Sequence, residues 1–376
     1  MFITSTGDNS AYKASTGFRR RLLTTAAAVI GLASVAFAQA SGAQAADPQT
    51  FFVLNNQTDP MFNQLLGINN GHVIVGYFGD GMAIANNGYV LVPPNHYSTD
   101  FTLLNFTLPN GGNTASQVQA IGINENSALA GATPFPDIVG FYTDKATGFT
   151  HGFVDSIGVQ STIDDPMGLK GITTPVQNLL GINNSLRAAG FWTDNNGHEN
   201  GFVAEINTQT TPVAARFTEL TPAKVNKDLG LPNMTVVATQ ASDINNNSGN
   251  NLVCGFWTDK DGINHGFEVF FNTAAHRFNT VQPLTAQIPN VKSLSPFGCN
   301  DHGAVVGSFT ANDGTVHGFV FDGMTWHNYD AAGSSQTPAF HVAGTIINGI
   351  NNDGNIVGFF SDGENVNGFV DFAPVP

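Results

Sequence analysis

Positive charge is scarce in this chain. Its 376 residues hold 13 Lys and Arg against 28 Asp and Glu, a formal net charge of −15. Four of those cations and one of the anions fall in the first 45 residues, so the remainder carries −18. Nucleic acid and anionic lipid both recruit clustered Lys and Arg, which excludes them as partners. Cysteine is nearly absent, with Cys254 and Cys299 alone, so a disulfide framework is excluded as the source of stability. Beyond the N-terminal segment no run of about 18 apolar residues occurs, and the rest of the chain has no helical membrane span. The sequence also lacks G-x-S-x-G, H-E-x-x-H, G-x-x-x-x-G-K and an EF-hand loop, the local signatures of common catalytic and ion-binding sites. A site assembled from several segments would leave no such signature. What the chain does have is 42 glycines and 30 phenylalanines, the composition of short strands joined by tight turns.

The first 45 residues read as an export signal. Arg19-Arg20-Arg21 precedes an Ala-rich apolar stretch from Leu22 to about Ala40, and Ala43-Gln44-Ala45 fits a cleavage signal before Ala46. Ala38-Gln39-Ala40 is an alternative cleavage site. The arginines, followed by Leu22-Leu23 behind a long leader, fit a twin-arginine signal as well as an ordinary secretory one. The expected location is extracellular or periplasmic.

Self-comparison reveals one unit repeated six times: G-I-N, then G-[FY]-x-x-D, a turn, and [HN]-G-[FY]. Copy one runs Gly67-Ile68-Asn69, Gly76-Tyr77, Asp80, Asn87-Gly88-Tyr89. Copy three runs Gly181-Ile182-Asn183, Gly190-Phe191, Asp194, Asn200-Gly201-Phe202. The asparagines at 69, 124, 183, 245, 300 and 351 are 55, 59, 62, 55 and 51 residues apart. Apolar runs such as Val73–Phe78 and Asn355–Phe360 read as strands covered on both faces. Asp194-Asn195-Asn196-Gly197 and its counterparts read as hairpin turns. Copy six ends at Phe372 without the fourth strand that follows most copies, while Phe51-Phe52-Val53-Leu54 stands alone before copy one. The N-terminal strand therefore completes the last unit. Such closure removes exposed sheet edges and favours a ring over an open solenoid. The expected fold is an all-β, six-bladed β-propeller with four-stranded blades, occupying residues 46–376 as one domain.

The recurring G-I-N, V-G-F and H-G-F elements over residues 51–372 resemble the HAF-type extracellular repeat of exported bacterial proteins, named for a tripeptide that appears here as His-Gly-Phe. The resemblance implies an extracellular, repeat-built β fold and carries no activity or catalytic residue with it.

Recurrent residues in a symmetric ring are first of all scaffold. The six G-I-N asparagines are expected to bond the backbone of their own turn or of a neighbouring blade. His151, His265 and His317 exchange with Asn at 87, 200 and 367, which fits a shared hydrogen bond to the hairpin Asp better than metal ligation. Departures from the repeat are more informative. Asp243 stands where five copies have Gly, and an innermost strand would put its carboxylate near the ring axis. There it is a candidate for catalysis, or for Ca²⁺ if any ion binds. His72, His96 and His302, off the repeat, are the accompanying candidates. An insertion in copy two, Ala132–Gly140, offers Phe135 and Asp137 as loop residues bordering a binding mouth. Trp192 and Trp257 replace core aromatics and are expected in the core, with Trp326 after the third strand of copy five. Cys254 and Cys299 occupy inward positions on adjacent blades, as a disulfide or, preferably, as packed thiols.

Two functions follow. The favoured one is a monomeric, non-catalytic binding or structural module without cofactor, its partner a small molecule, a surface glycan or another protein. The alternative is a hydrolase or lyase with an axial, Ca²⁺-assisted site. Convergence of Asp243 with two further carboxylates or histidines in one channel mouth would favour the alternative.

Overall fold

A computed structural model describes residues 44–45, 50–82, 84–92, 101–104, 115–125, 136–232 and 235–373. Among these, strands form six antiparallel sheets, one per repeat. Each inner strand touches the next, and the sixth touches the first, so the sheets close into a ring. The inner strands are Asn63–Ile68, Ala115–Ile123, Gln177–Ile182, Val236–Ile244, Val291–Cys299 and Thr345–Ile350. In blade six the outer strand is Phe51–Val53, paired antiparallel with Val366–Asp371. The closure expected from the sequence is thus present. It is fastened by Thr50 and Tyr329, whose hydroxyls donate to the buried Asp371 carboxylate at 2.8 and 2.7 Å. Gln44–Ala45 add a short parallel strand to the outer edge of blade five.

The repeat signature has a packing cause. The Gly of V-G-F lies directly across the ladder from the aromatic of [HN]-G-[FY] in all six blades: Gly76 from Tyr89, Gly140 from Phe153, Gly190 from Phe202, Gly255 from Phe267, Gly307 from Phe319 and Gly358 from Phe369. Each ring lies over its glycine, so a Cβ at Gly190 would sit 3.0 Å from Phe202 and 2.1 Å from the Asn178 carbonyl. All six rings are fully buried. The two motifs are one cross-strand contact written in two places.

Every inner strand carries a β-bulge just before the G-I-N glycine, or before Asp243 in blade four. The extra residues are Leu66, Ile121, Leu180, Ser242, Phe297 and Asn348, and all six line a cavity on the ring axis. A bulge redirects a side chain that regular alternation would send into the blade. The four apolar ones plug the axis, and Ser242 and Asn348 interrupt the plug.

A seven-residue helix, Pro222–Asp228, links blades three and four, with Thr221 capping its first turn and proline at its start.

Candidate functional site

The six G-I-N asparagines end the inner strands and meet at one end of the axis. Each amide nitrogen donates to the backbone carbonyl of the equivalent asparagine in the next blade. The chain runs from Asn69 to Asn124 (3.1 Å), Asn183 (3.4 Å), Asn245 (2.9 Å), Asn300 (3.2 Å), Asn351 (2.9 Å) and back to Asn69 (3.1 Å). Each amide oxygen accepts from its own turn, as Asn69 does from the Val73 N–H and Asn300 from the Ala304 N–H. Both expected partners, own turn and neighbouring blade, are therefore used at once.

A second closed ring runs through the following residues. The N–H of Asn70 donates to Glu125 Oε2 (2.6 Å), Glu125 to Asn184 Oδ1 (2.8 Å) and Asn184 to Asn246 Oδ1 (2.7 Å). Asn246 then donates to Asp301 Oδ1 (2.7 Å), Asp301 to Asn352 Oδ1 (2.9 Å) and Asn352 to Asn70 Oδ1 (2.8 Å). Four members are neutral amides. The two acids belong to blades two and five, opposite each other in a ring of six.

Inside these belts lies a cavity of about 90 Å³. Asp243 opens onto it from the level where the other five blades have glycine. Those glycines are needed because neighbouring inner strands nearly touch: a Cβ at Gly122 would lie 2.5 Å from the Leu180 carbonyl, and one at Gly349 2.8 Å from the Leu66 carbonyl. The Asp243 carboxylate fits because Gly181 beside it has no side chain. One oxygen accepts from the Ile244 N–H (2.8 Å) and the other from the Cys299 N–H of the next blade (2.9 Å). Burial pushes its carboxyl up to about 7, against the pull of those two N–H groups, with Asp301 and Glu125 adding repulsion. Glu125 is likewise raised to about 7, chiefly by burial, with Asp301 and Asp353 contributing. Three carboxylates thus line one cavity, and no Lys, Arg or His lines it with them. Gln240 Oε1 and Asn348 Oδ1, also in its wall, are buried without a hydrogen-bond partner.

The other sequence candidates fall elsewhere. His72 packs with its ring tilted 53° to Phe372 at 5.2 Å and lies 3.9 Å from Asp353, on the turn outside the cavity wall. His302 is exposed on the equivalent turn of blade five. Asp137 is buried and engaged with Asn124, accepting from its amide at 2.7 Å and donating its own N–H at 2.9 Å. This is the place of Asn355 opposite Asn351 in blade six. The extra residues of copy two therefore lie between Glu125 and Pro136, earlier than the sequence placed them. Phe135 and His96 lie outside the described residues. Among the described residues, no three His, Cys, Asp or Glu side chains come close enough to share a metal ion.

The recurrent histidines divide. His265 bonds the hairpin Asp259 at 3.0 Å as expected, whereas His151 and His317 bond Asp164 and Asp330 beside the fourth strand, at 2.6 and 2.9 Å. Each sits between hairpin and outer strand, so whichever side offers the carboxylate takes the bond. Cys254 and Cys299 are buried free thiols within hydrogen-bonding reach of each other. Trp257 is buried and stacked on His265 at 4.0 Å. Trp192 is half-buried and donates to Glu219 at 3.2 Å, while Trp326 packs on Phe319 and Phe321. None of the three tryptophans lines the cavity.

Sequence reasoning found Asp243 and missed Glu125, Asp301, Gln240 and Asn348. The signal for the two acids was one column further on: after each repeat asparagine stands Asn70, Glu125, Asn184, Asn246, Asp301 or Asn352.

No family model matches the chain, and no curated protein does. Several solved structures resemble it in shape. A sialidase of Trypanosoma rangeli aligns with TM-score 0.43 and 7% identity, over 83% of this chain and 54% of the sialidase, so the chain spans about half of that protein's length. A luciferin-regenerating enzyme aligns with TM-score 0.45 and 10% identity, over 85% of this chain and 94% of that one. A lectin of Aleuria aurantia, in complex with alpha-methyl-L-fucoside, aligns with TM-score 0.43 and 11% identity, over 86% and 98%.

Proposed function

We propose that the protein is an exported, non-catalytic binding propeller of the HAF-repeat type, which receives its ligand at the axial end ringed by asparagine. One observation carries this reading. The cavity at that end is where the repeat is broken, by Asp243 among glycines and by Glu125 and Asp301 among amides. Elsewhere in the two rings the asparagines answer their own turn or the neighbouring blade. The carboxylates support binding rather than turnover because each already accepts a backbone N–H. The one hydroxyl in the wall, Ser242, accepts from the Gln240 amide at 3.4 Å.

A ligand screen by thermal shift tests this reading, with sugars, metal ions and amines run against wild type and Asp243→Gly. A stabilising ligand whose effect disappears in the variant supports it. A ligand that stabilises both equally binds elsewhere, and the axial site falls.

The convergence of three carboxylates favours a second reading, a hydrolase or lyase at the same place. Glu125 and Asp243, both held near 7, would still be protonated in mild acid and able to act as general acids. Chromogenic glycosides and esters assayed between pH 5 and 7 decide it. Turnover lost in both Glu125→Gln and Asp243→Gly would replace the binding reading with this one.

A further inference from the structure

We propose that the axial cavity binds a primary ammonium group carried on a short alkyl stem. The inference rests on the binding reading above and specifies its ligand. Acceptors in the cavity wall include the carboxylates of Asp243, Glu125 and Asp301 and the carbonyl oxygens of Gln240 and Asn348. Gln240 is 4% exposed, its Oε1 is unbonded, and its amide nitrogen is turned to Ser242 instead. Donors nearby serve other groups: each asparagine amide gives an N–H to the neighbouring carbonyl, the turn N–H groups hold the second ring, and the Asn246 and Asn352 amides reach Asp301 Oδ2 at 3.3 and 2.8 Å.

A buried acceptor without a donor is unfavourable unless a ligand supplies one. No Lys, Arg or His lines the cavity, so its own wall offers no cation to the Asp243 and Asp301 carboxylates. A ligand that answers both needs has several N–H donors on one positive centre, which describes an ammonium group. A metal ion answers them poorly, because no three acids or histidines among the described residues meet at one point. The carboxylates are instead staggered, two in the outer belt and Asp243 deeper, as an elongated ligand requires. Leu66, Ile121, Leu180 and Phe297 give that ligand an apolar wall for its methylenes. A volume of about 90 Å³ exceeds what one water needs and suits a stem of roughly four or five heavy atoms. Two sources share this chemistry, a free alkyl diamine and the side chain of a lysine on another protein.

Calorimetric titration of the full chain tests it, with 1,4-diaminobutane, n-butylamine, n-butanol and the N-acetyl methylamide of lysine as probes. Both amines are expected to bind, and butanol, which matches butylamine in size without its charge, at least tenfold more weakly. Asp243→Gly installs the residue that the other five blades carry at this level, and should weaken the amines tenfold or more. Asn348→Leu, which installs the side chain that blades one and three carry at the same bulge, should do the same in part, which guards against misfolding of the first variant. If the lysine derivative binds as tightly as the diamine, the occupant is a protein side chain; the reverse order indicates a free amine. Butanol binding as well as butylamine would overturn the proposal, as would wild-type amine affinity in Asp243→Gly. Absence of amine binding, with a sugar or metal still bound through Asp243, would sink the ammonium assignment and leave the binding reading standing. Absence of any ligand would remove both.

Discussion

Replacing Asn183 with Asp should be far more damaging at pH 8 than at pH 5, whereas the same change one residue later should be nearly silent at both. Asn183 is 1% exposed. Its amide nitrogen donates across the blade boundary to the Asn245 carbonyl at 2.9 Å, and its oxygen accepts from the N–H groups of Ser185 and Arg187 at 3.0 and 3.1 Å. Aspartate keeps the acceptor and loses the donor, and when ionised it points a charge at a buried carbonyl. Only the protonated form can donate there, so the folded protein raises its pKa above the unfolded value near 4. An acid shifted in this direction contributes fully below its unfolded pKa, and that contribution is lost as pH rises through the folded value. Each unit of displacement amounts to about 1.4 kcal/mol. Asn183→Ala sets the scale: it strands a buried carbonyl and one or two N–H groups, at about 1–3 kcal/mol each, for a loss of roughly 2–4 kcal/mol after water reaches the exposed Ser185. Asn183→Asp should lose less than this at pH 5 and at least as much at pH 8. Asn184 is exposed and its oxygen only accepts, from the Glu125 N–H at 2.8 Å, as Asp301 does from Asn246 in blade four. Asn184→Asp should therefore cost under about 1 kcal/mol at either pH. Urea unfolding followed by tryptophan fluorescence measures all three variants. Equal losses at 183 and 184, or a loss at 183 that ignores pH, would refute the ring as a donor-specific structure.

Three further outcomes follow from the same contacts. Asp243, raised to about 7 in the fold, makes its full contribution below about pH 4 and loses it towards pH 7. Once solvent in the cavity has screened part of the effect, this amounts to about 2 kcal/mol. Asp243→Gly should remove that decline, so that wild-type and variant urea midpoints diverge between pH 5 and 8. Gly190→Ala would place a Cβ 2.1 Å from the Asn178 carbonyl and should destabilise by more than about 3 kcal/mol, seen as loss of soluble protein or of a cooperative transition. Tyr329→Phe removes a buried 2.7 Å donor from Asp371 at the ring closure and should cost about 1–3 kcal/mol, read from the urea midpoint.

The ring was legible because a sixfold structure repeats its requirements. The glycine under an aromatic, the asparagine at the strand end and the Asp of the hairpin are each demanded six times, so they rise above local noise. Closure could be read because copy six lacked a strand that residues 51–54 supplied. Asp243 was legible for the same reason, as an exception in a column of glycines. Glu125 and Asp301 were not: they are 176 residues apart and come to face one cavity only when strand ends converge on the axis. Asp137 misled because the insertion repeats its surroundings. Its bond to Asn124 shows that it belongs to the repeat and that the extra chain precedes it. The histidines were half legible because spacing alone cannot tell which of two flanking carboxylates lies closer.

The same symmetry that makes the scaffold readable limits where function can reside. Each repeat asparagine gives an N–H forward and its acceptor to its own turn, and after six such steps the ring is complete, with every amide committed to the scaffold. A ligand at this end must therefore be met by residues that differ between blades. The differing residues in the cavity wall are not a random sample of polar side chains. They are the carboxylates of Glu125, Asp243 and Asp301, the hydroxyl of Ser242 and the amide of Asn348, contributed by blades two, four, five and six, with no basic residue among them. Stability alone would not select such a set, since burying like charges and unbonded acceptors together works against folding. Their chemistry is complementary to something positive and rich in N–H donors, and a chain so poor in cations contains little of that itself.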